Sequence, residues 1–279
     1  MRYLNSVIMF FVAILSLLAL KVNTCLANDA PVNLQGGGAQ ALAGAVYAIS
    51  MDSEVVKIIL GKNSYVVDAT FNFFNTGETM KVDVGFPKRG AGWLGDNYHQ
   101  TSEFIKFETW VDGKQAKFVE KPDTASIEGS YTLPGLIKYI KQINNFDELK
   151  GLMAKDYRWM VKERVVFQSK KITTTRVRYE APYQNFGAEC KGGLKYIYGT
   201  GSHWKENIGE SIFIVDATLI PKKDRPKDMG FVDEKDKSKI KCDTISDGII
   251  QCVLNNYKPA TSEAGVVVGV GCVDFEESQ

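Results

Sequence analysis

The stretch SYVVDATFNFFNTGETMKVDVGFP, Ser64 to Pro87, decides the fold class. In its first half Tyr65, Val67, Ala69, Phe71 and Phe73 fall on one face, while Asp68, Thr70 and Asn72 fall on the other. A period of two with one apolar and one polar side marks a half-buried antiparallel strand. Asn75-Thr76-Gly77-Glu78 supplies turn chemistry, and the chain returns with Met80, Val82 and Val84 on one side. Pro87, which has no N–H for a ladder, is expected to stop this second strand. The stretch reads as a structural hairpin whose polar face needs no ligand to explain it.

The same signature recurs on either side. In EFIKFETWVDGKQAKFVE, Ile105, Phe107, Thr109 and Val111 share a face, and Asp112-Gly113 predicts a tight hairpin turn. KITTTRVRYE sets Thr173, Thr175, Val177 and Tyr179 against Ile172, Arg176, Arg178 and Glu180. SIFIVDATLIP groups Phe213, Val215, Ala217 and Leu219 and is expected to end at Pro221. AGVVVGVGCVDF is an apolar run with glycines, as a closely packed strand would be. Helical spacing is confined to Leu136, Ile137, Ile140 and Ile143, and to Leu149, Leu152, Met153 and Tyr157 after the capping pair Asn145 and Glu148. The lysine-rich stretch from Pro221 to Lys239 reads as a solvated loop. The expectation is a mainly β protein of antiparallel β-sandwich modules, as many as two, with a short helical insertion. Its boundaries would be a leader at 1–27, an N-terminal β module at 28–125, the insertion at 126–160, and a C-terminal β module at 161–279 ending in a cysteine-bearing hairpin tail.

The leader follows from length. VIMFFVAILSLLAL, Val7 to Leu20, comes after Arg2 and before the small residues of VNTCLA. A spanning helix needs about 20 apolar residues, a secretory core only about 7–15. Cleavage after Ala27 is expected, giving an exported protein, periplasmic or secreted, with no transmembrane segment left. Of 34 basic and 33 acidic residues, cleavage removes two basic ones, Arg2 and Lys21, and leaves the charge near balance. Such a chain carries no positive field to draw nucleic acid.

Cys25 leaves with the leader, so four cysteines remain, an even number that reads as disulfides in an exported chain. In CDTISDGIIQC a three-residue loop, Ser246-Asp247-Gly248, with glycine in the left-handed position, sets Cys242 opposite Cys252. Cys190 is then left to Cys272. No C-x-x-C pair argues for zinc.

Catalytic signals are sparse. The two histidines lie in GAGWLGDNYHQ, where His99 neighbours Trp93, Asp96 and Tyr98, and in GTGSHWKENIGE, where His203 neighbours Trp204 and Glu206. Brought together with a carboxylate, they could hold zinc and a water. More than a hundred residues separate them, and neither a nucleophile elbow nor a phosphate loop occurs. We therefore assign no catalytic residue, metal or cofactor. Trp93, Tyr98, His99, His203 and Trp204 are the candidate binding residues, as aromatics on loops of a rigid sandwich. The reading is a non-enzymatic binding or envelope-associated module with a protein or glycan partner. The alternative is a cell-wall or glycan-directed hydrolase, metal-dependent through the two histidines.

The order of several segments resembles one family. These are NDAPVNLQGGG from Asn28, AISMDSEVVKI from Ala48, YVVDATFNFFNTG from Tyr65, VGFP from Val84, VVFQSKKITTTRVRYEAPYQNFG from Val165 and GTGSHWKENIGESIFIVD from Gly199. Together, across most of residues 28–220, they resemble the bacterial domain of unknown function 4424. That resemblance implies an exported bacterial protein with no assigned catalytic residues.

Overall fold

A computed structural model describes residues 30–33, 40–41, 48–88, 104–122, 158–183, 190–232, 240–260 and 264–272. The leader, the helical segments and the loop carrying Trp93, Tyr98 and His99 lie outside these residues. Sixteen strands are present among them. They are β1 (Ala30–Asn33), β2 (Gln40–Ala41), β3 (Ile49–Leu60), β4 (Ser64–Asn75), β5 (Met80–Lys88), β6 (Lys106–Val111), β7 (Lys114–Gln115) and β8 (Val119–Pro122). After these come β9 (Arg158–Phe167), β10 (Ile172–Pro182), β11 (Gly192–Ile197), β12 (Ile208–Asp216), β13 (Gly230–Val232), β14 (Lys241–Ser246), β15 (Ile249–Tyr257) and β16 (Gly265–Val270). The protein is mainly β, as the alternation predicts.

An eight-stranded sheet in the order β14-β15-β12-β3-β4-β10-β6-β7 forms one layer. A five-stranded sheet, β2-β1-β5-β9-β8, and a three-stranded sheet, β11-β16-β13, complete the set. Aromatic contacts show how the layers face each other. Phe73 on β4 meets Phe167 on β9 at 5.9 Å between ring centres, and Phe86 on β5 meets Tyr179 on β10 at 5.5 Å. Beside them, Phe213 on β12 meets Tyr196 on β11 at 6.3 Å and Phe231 on β13 at 5.9 Å. The two smaller sheets thus cover different halves of one face of the large sheet, with a continuous apolar core between. Strands from both expected modules share the large sheet, and β3 runs parallel to β12, pairing Val55 with Ile212 and Ile58 with Val215. The division near residue 125 therefore runs through the sheet rather than between sheets. β9 begins at Arg158, so residues 158–160, expected in the insertion, are strand.

The local readings hold where alternation is clean. Tyr65, Val67, Ala69, Phe71 and Phe73 are all buried, as are Thr173, Thr175, Val177 and Tyr179 on the neighbouring strand β10. Asp112 and Gly113 turn β6 into β7 with φ of 48° and 75°, the double left-handed turn that matches the twist of a hairpin. β14 and β15 pair Cys242 with Cys252, and Gly248 takes a φ of 84° at the turn. The loop is one residue tighter than expected, because Ser246 itself pairs with Ile249. A bulge between Thr244 and Ser246 absorbs the difference. Sulfur distances of 2.00 Å for Cys242–Cys252 and 2.06 Å for Cys190–Cys272 confirm both disulfides.

Three expectations need correction. β5 passes through Pro87 to Lys88; it is flanked by β1 only as far as Gly85, so beyond that point it has one described neighbour, and proline suits such a position. β12 stops at Asp216, whose Oδ1 accepts hydrogen bonds from Thr218 N (3.2 Å) and Thr218 Oγ1 (2.7 Å). That turn leaves Leu219 70% exposed instead of aligned with Phe213. The lysine-rich stretch is not wholly solvated, since β13 lies within it and Met229 and Phe231 are buried.

Candidate functional site

The loop holding His203 and Trp204 is a core plug, which corrects its assignment as a binding surface. Trp204 is 2% exposed; its ring lies 4.4 Å from Phe73 and 6.0 Å from Phe167. His203 closes a short 3₁₀ turn, Gly199–His203, with Nδ1 3.0 Å from the carbonyl of Thr200. Burial lowers its imidazole below the ordinary value; the Thr200 carbonyl partly offsets this and Lys258 adds to it. A neutral histidine satisfied within its own turn serves packing rather than proton transfer. Among the described residues, no group of three or more His, Cys, Asp or Glu stands together as a metal site.

A second polar cluster escaped the sequence. Between Met51 and Ser53 the register of β3 against β4 shifts by one residue, at Asp52, and the following alternation turns Glu54 inward. Gly209 on β12 accommodates this irregularity, because a Cβ there would fall 2.3 Å from the Asp52 carbonyl oxygen. Glu54 is fully buried, and its Oε1 accepts hydrogen bonds from Ser211 Oγ (2.6 Å) and Tyr257 OH (3.1 Å). Burial first, and then the Glu54 charge, push the Tyr257 phenol well above its usual range. The trio satisfies a buried carboxylate and includes no imidazole to activate Ser211.

The outer face of the large sheet carries a third arrangement. Arg176 donates from Nε and Nη2 to the two carboxylate oxygens of Asp68, at 2.7 and 2.5 Å, and Arg178 adds a bond at 3.1 Å. Arg176 also stacks on Trp110, 4.8 Å from the ring centre. Partial burial would raise the Asp68 carboxyl, but the two guanidinium groups outweigh it and hold it below its ordinary value. Every charge here is paired across neighbouring strands, so the cluster stabilises register rather than offering a free group.

A cleft of about 450 Å³ opens where the five-stranded sheet meets the end of the large one. One wall is the β6–β7 turn and the segment Ala116–Val119; the other is β9 from Val161 to Val166, with Gln168 beyond it. Its apolar lining includes Val111, Phe118, Val119 and Val165, and Phe118 packs edge-on against Phe107 at 4.8 Å while remaining 37% exposed. A bulge shapes the second wall. Asp83 on β5 faces two residues, Glu163 and Arg164, because Val82 pairs with Val165 and Val84 with Lys162. Arg164 takes a φ of 54°, and its N–H donates to Asp83 Oδ1 at 2.7 Å. The bulge also carries Lys162 opposite inward-facing Val84, where it is only 2% exposed. Both acids of the lining are engaged: Asp112 Oδ1 accepts from Thr174 N at 2.9 Å, and Glu163 pairs with Lys121. The size lies within the range of small-molecule sites, about 300–1,000 Å³. Sequence reasoning missed it because neither a strand bulge nor the meeting of two sheets has a local signature.

The chain matches no family model, and no curated protein resembles it in sequence. Among solved structures it is similar to a Legionella pneumophila protein provisionally called a nutrient binding protein. The TM-score is 0.53 at 15% identity, covering 86% of this chain and 70% of that one. It also aligns with an M1 zinc metallopeptidase from Deinococcus radiodurans, at a TM-score of 0.37 and 9% identity, covering 80% of this chain and 42% of that one. The first likeness shows a shared fold; the second carries no weight. No helix among the described residues is long and apolar enough to cross a membrane.

Proposed function

We propose that this is an exported, non-enzymatic binding protein of the cell envelope that takes a small ligand in the cleft between β9 and the β6–β7 turn. The observation that carries the reading is the cleft itself, which sets the apolar Val111, Phe118, Val119 and Val165 beside the charged Asp112, Lys117, Glu163 and Arg164. Among its described lining residues there is no serine, cysteine or histidine. Export is supported by the two disulfides, which persist on the oxidising side of a membrane, and by the leader-like N-terminus. The shared fold with a protein named for nutrient binding agrees with a ligand-carrying role. Kinship with the bacterial domain of unknown function 4424 belongs to the same proposal, resting on the order of its segments.

Native mass spectrometry of protein released gently from its own envelope tests this reading. An adduct of constant mass is expected on the native chain and absent from a Val119→Trp variant, whose indole would fill the cleft mouth. An identical adduct on both chains would place binding elsewhere. N-terminal sequencing of the same sample should begin at Asn28.

A further inference from the structure

We infer that the ligand of this cleft is a small organic anion, a carboxylate or phosphate group on an apolar body; the inference rests on the cleft being a binding site. The lining holds three cationic side chains, Lys117, Lys162 and Arg164, against two acids, Asp112 and Glu163. Glu163 is paired with Lys121 from outside the lining, and Asp112, whose Oδ1 accepts one backbone N–H, leaves a single acid against the cations. The side chains of Arg164 and Lys117, by contrast, have no ion-pair or hydrogen-bond partner among the described residues. The charge still to be met in the cleft is therefore positive.

Arg164 is also placed at a cost. Its left-handed backbone, φ 54°, is one that glycine adopts freely and a residue with a Cβ does not. The Asp83 carboxylate fixes that backbone by bonding the Arg164 N–H rather than the guanidinium, so the fork of donors is left to point at whatever enters. A cation on each wall, Arg164 on β9 and Lys117 beyond the β6–β7 turn, would clamp an anionic head. Phe118 and Val119 would cover its apolar body.

The test is isothermal titration with phenylacetate, phenyl phosphate, 2-phenylethanol and 2-phenylethylammonium against the full mature chain. The two anions are expected to bind about tenfold or more tightly than the alcohol, the typical effect of a charge-assisted hydrogen bond. That preference should weaken with added salt. Arg164→Gly suits the left-handed backbone and should fold as the native chain does; it is expected to lose the preference for anions and keep whatever affinity the alcohol has. Lys117→Ala, on the opposite wall, should lose part of it. Equal binding of alcohol and anions, or tighter binding of the ammonium, overturns the inference while leaving the cleft a binding site. An anion preference untouched in both variants also overturns it. If no probe of any charge binds, and the Val119→Trp chain carries the same envelope adduct as the native one, the binding reading itself fails with it.

Discussion

Replacing Trp204 by alanine separates the two roles that an aromatic beside a histidine can have. The side chain is 2% exposed and packs on Phe73 and Phe167. Burying a tryptophan removes about 150–250 Å² from water, and at about 25 cal/mol per Å², less the methyl that alanine retains, the loss is roughly 3–5 kcal/mol. Large-to-small substitutions of buried aromatics cost about as much. For a chain of this size each kcal/mol moves the midpoint of thermal unfolding by about 2–4 °C, so a fall of roughly 6–20 °C is expected. The assay is circular dichroism during heating, with Trp204→Phe as a milder companion that keeps a ring against Phe73. A ligand-contacting surface tryptophan would behave differently: its loss would shift stability by no more than about 0.5 kcal/mol and abolish binding instead. An unchanged midpoint in Trp204→Ala would refute the core assignment.

Three further outcomes follow from the same geometry. On a loop-entropy account the disulfide Cys190–Cys272, closing a separation of 82, should contribute about 4.5 kcal/mol, and Cys242–Cys252, closing 10, about 2.7 kcal/mol. Paired serine variants compared in urea check the order, and the reverse order would count against these pairings. Asp68→Asn should cost about 1–2 kcal/mol at neutral pH. Because the folded Asp68 pKa is depressed below 3.8, its contribution is complete above that value and lost as pH falls through the folded pKa, so variant and native stabilities should converge in acid. His203 is likewise depressed below 6.5, so its contribution is complete above that pH and shrinks as pH falls from there through the folded value. Unfolding midpoints should drop between about pH 7.5 and about pH 5.5, and His203→Gln should flatten that slope.

Strands whose neighbours impose a simple two-residue period were legible from sequence. Ser64–Asn75 and Ile172–Pro182 alternate without interruption, and Asp112-Gly113 and Gly248 take the left-handed backbone their residue types suit. Cys242 opposite Cys252 followed from that turn geometry. Sequence could not show which distant strands meet: β3 and β12 lie side by side in parallel although some 150 positions separate Val55 from Ile212. It also could not show bulges, which reverse the phase of everything after them. The one after Met51 turns Glu54 inward, and the one opposite Asp83 sets Lys162 and Arg164 at the cleft. Trp204 misled for a related reason. Glycines around it suggest a surface loop, yet the 3₁₀ turn folds that loop back into the core.

The account stands most directly on where a ligand sits. A crystal structure of the protein carrying the compound it retains from the envelope should show that compound between Phe118 and the Arg164 bulge, with Asp83 still holding the Arg164 N–H. Density for the compound at the outer face of the large sheet, beside Trp110 and Arg176, with the cleft unoccupied, would contradict it.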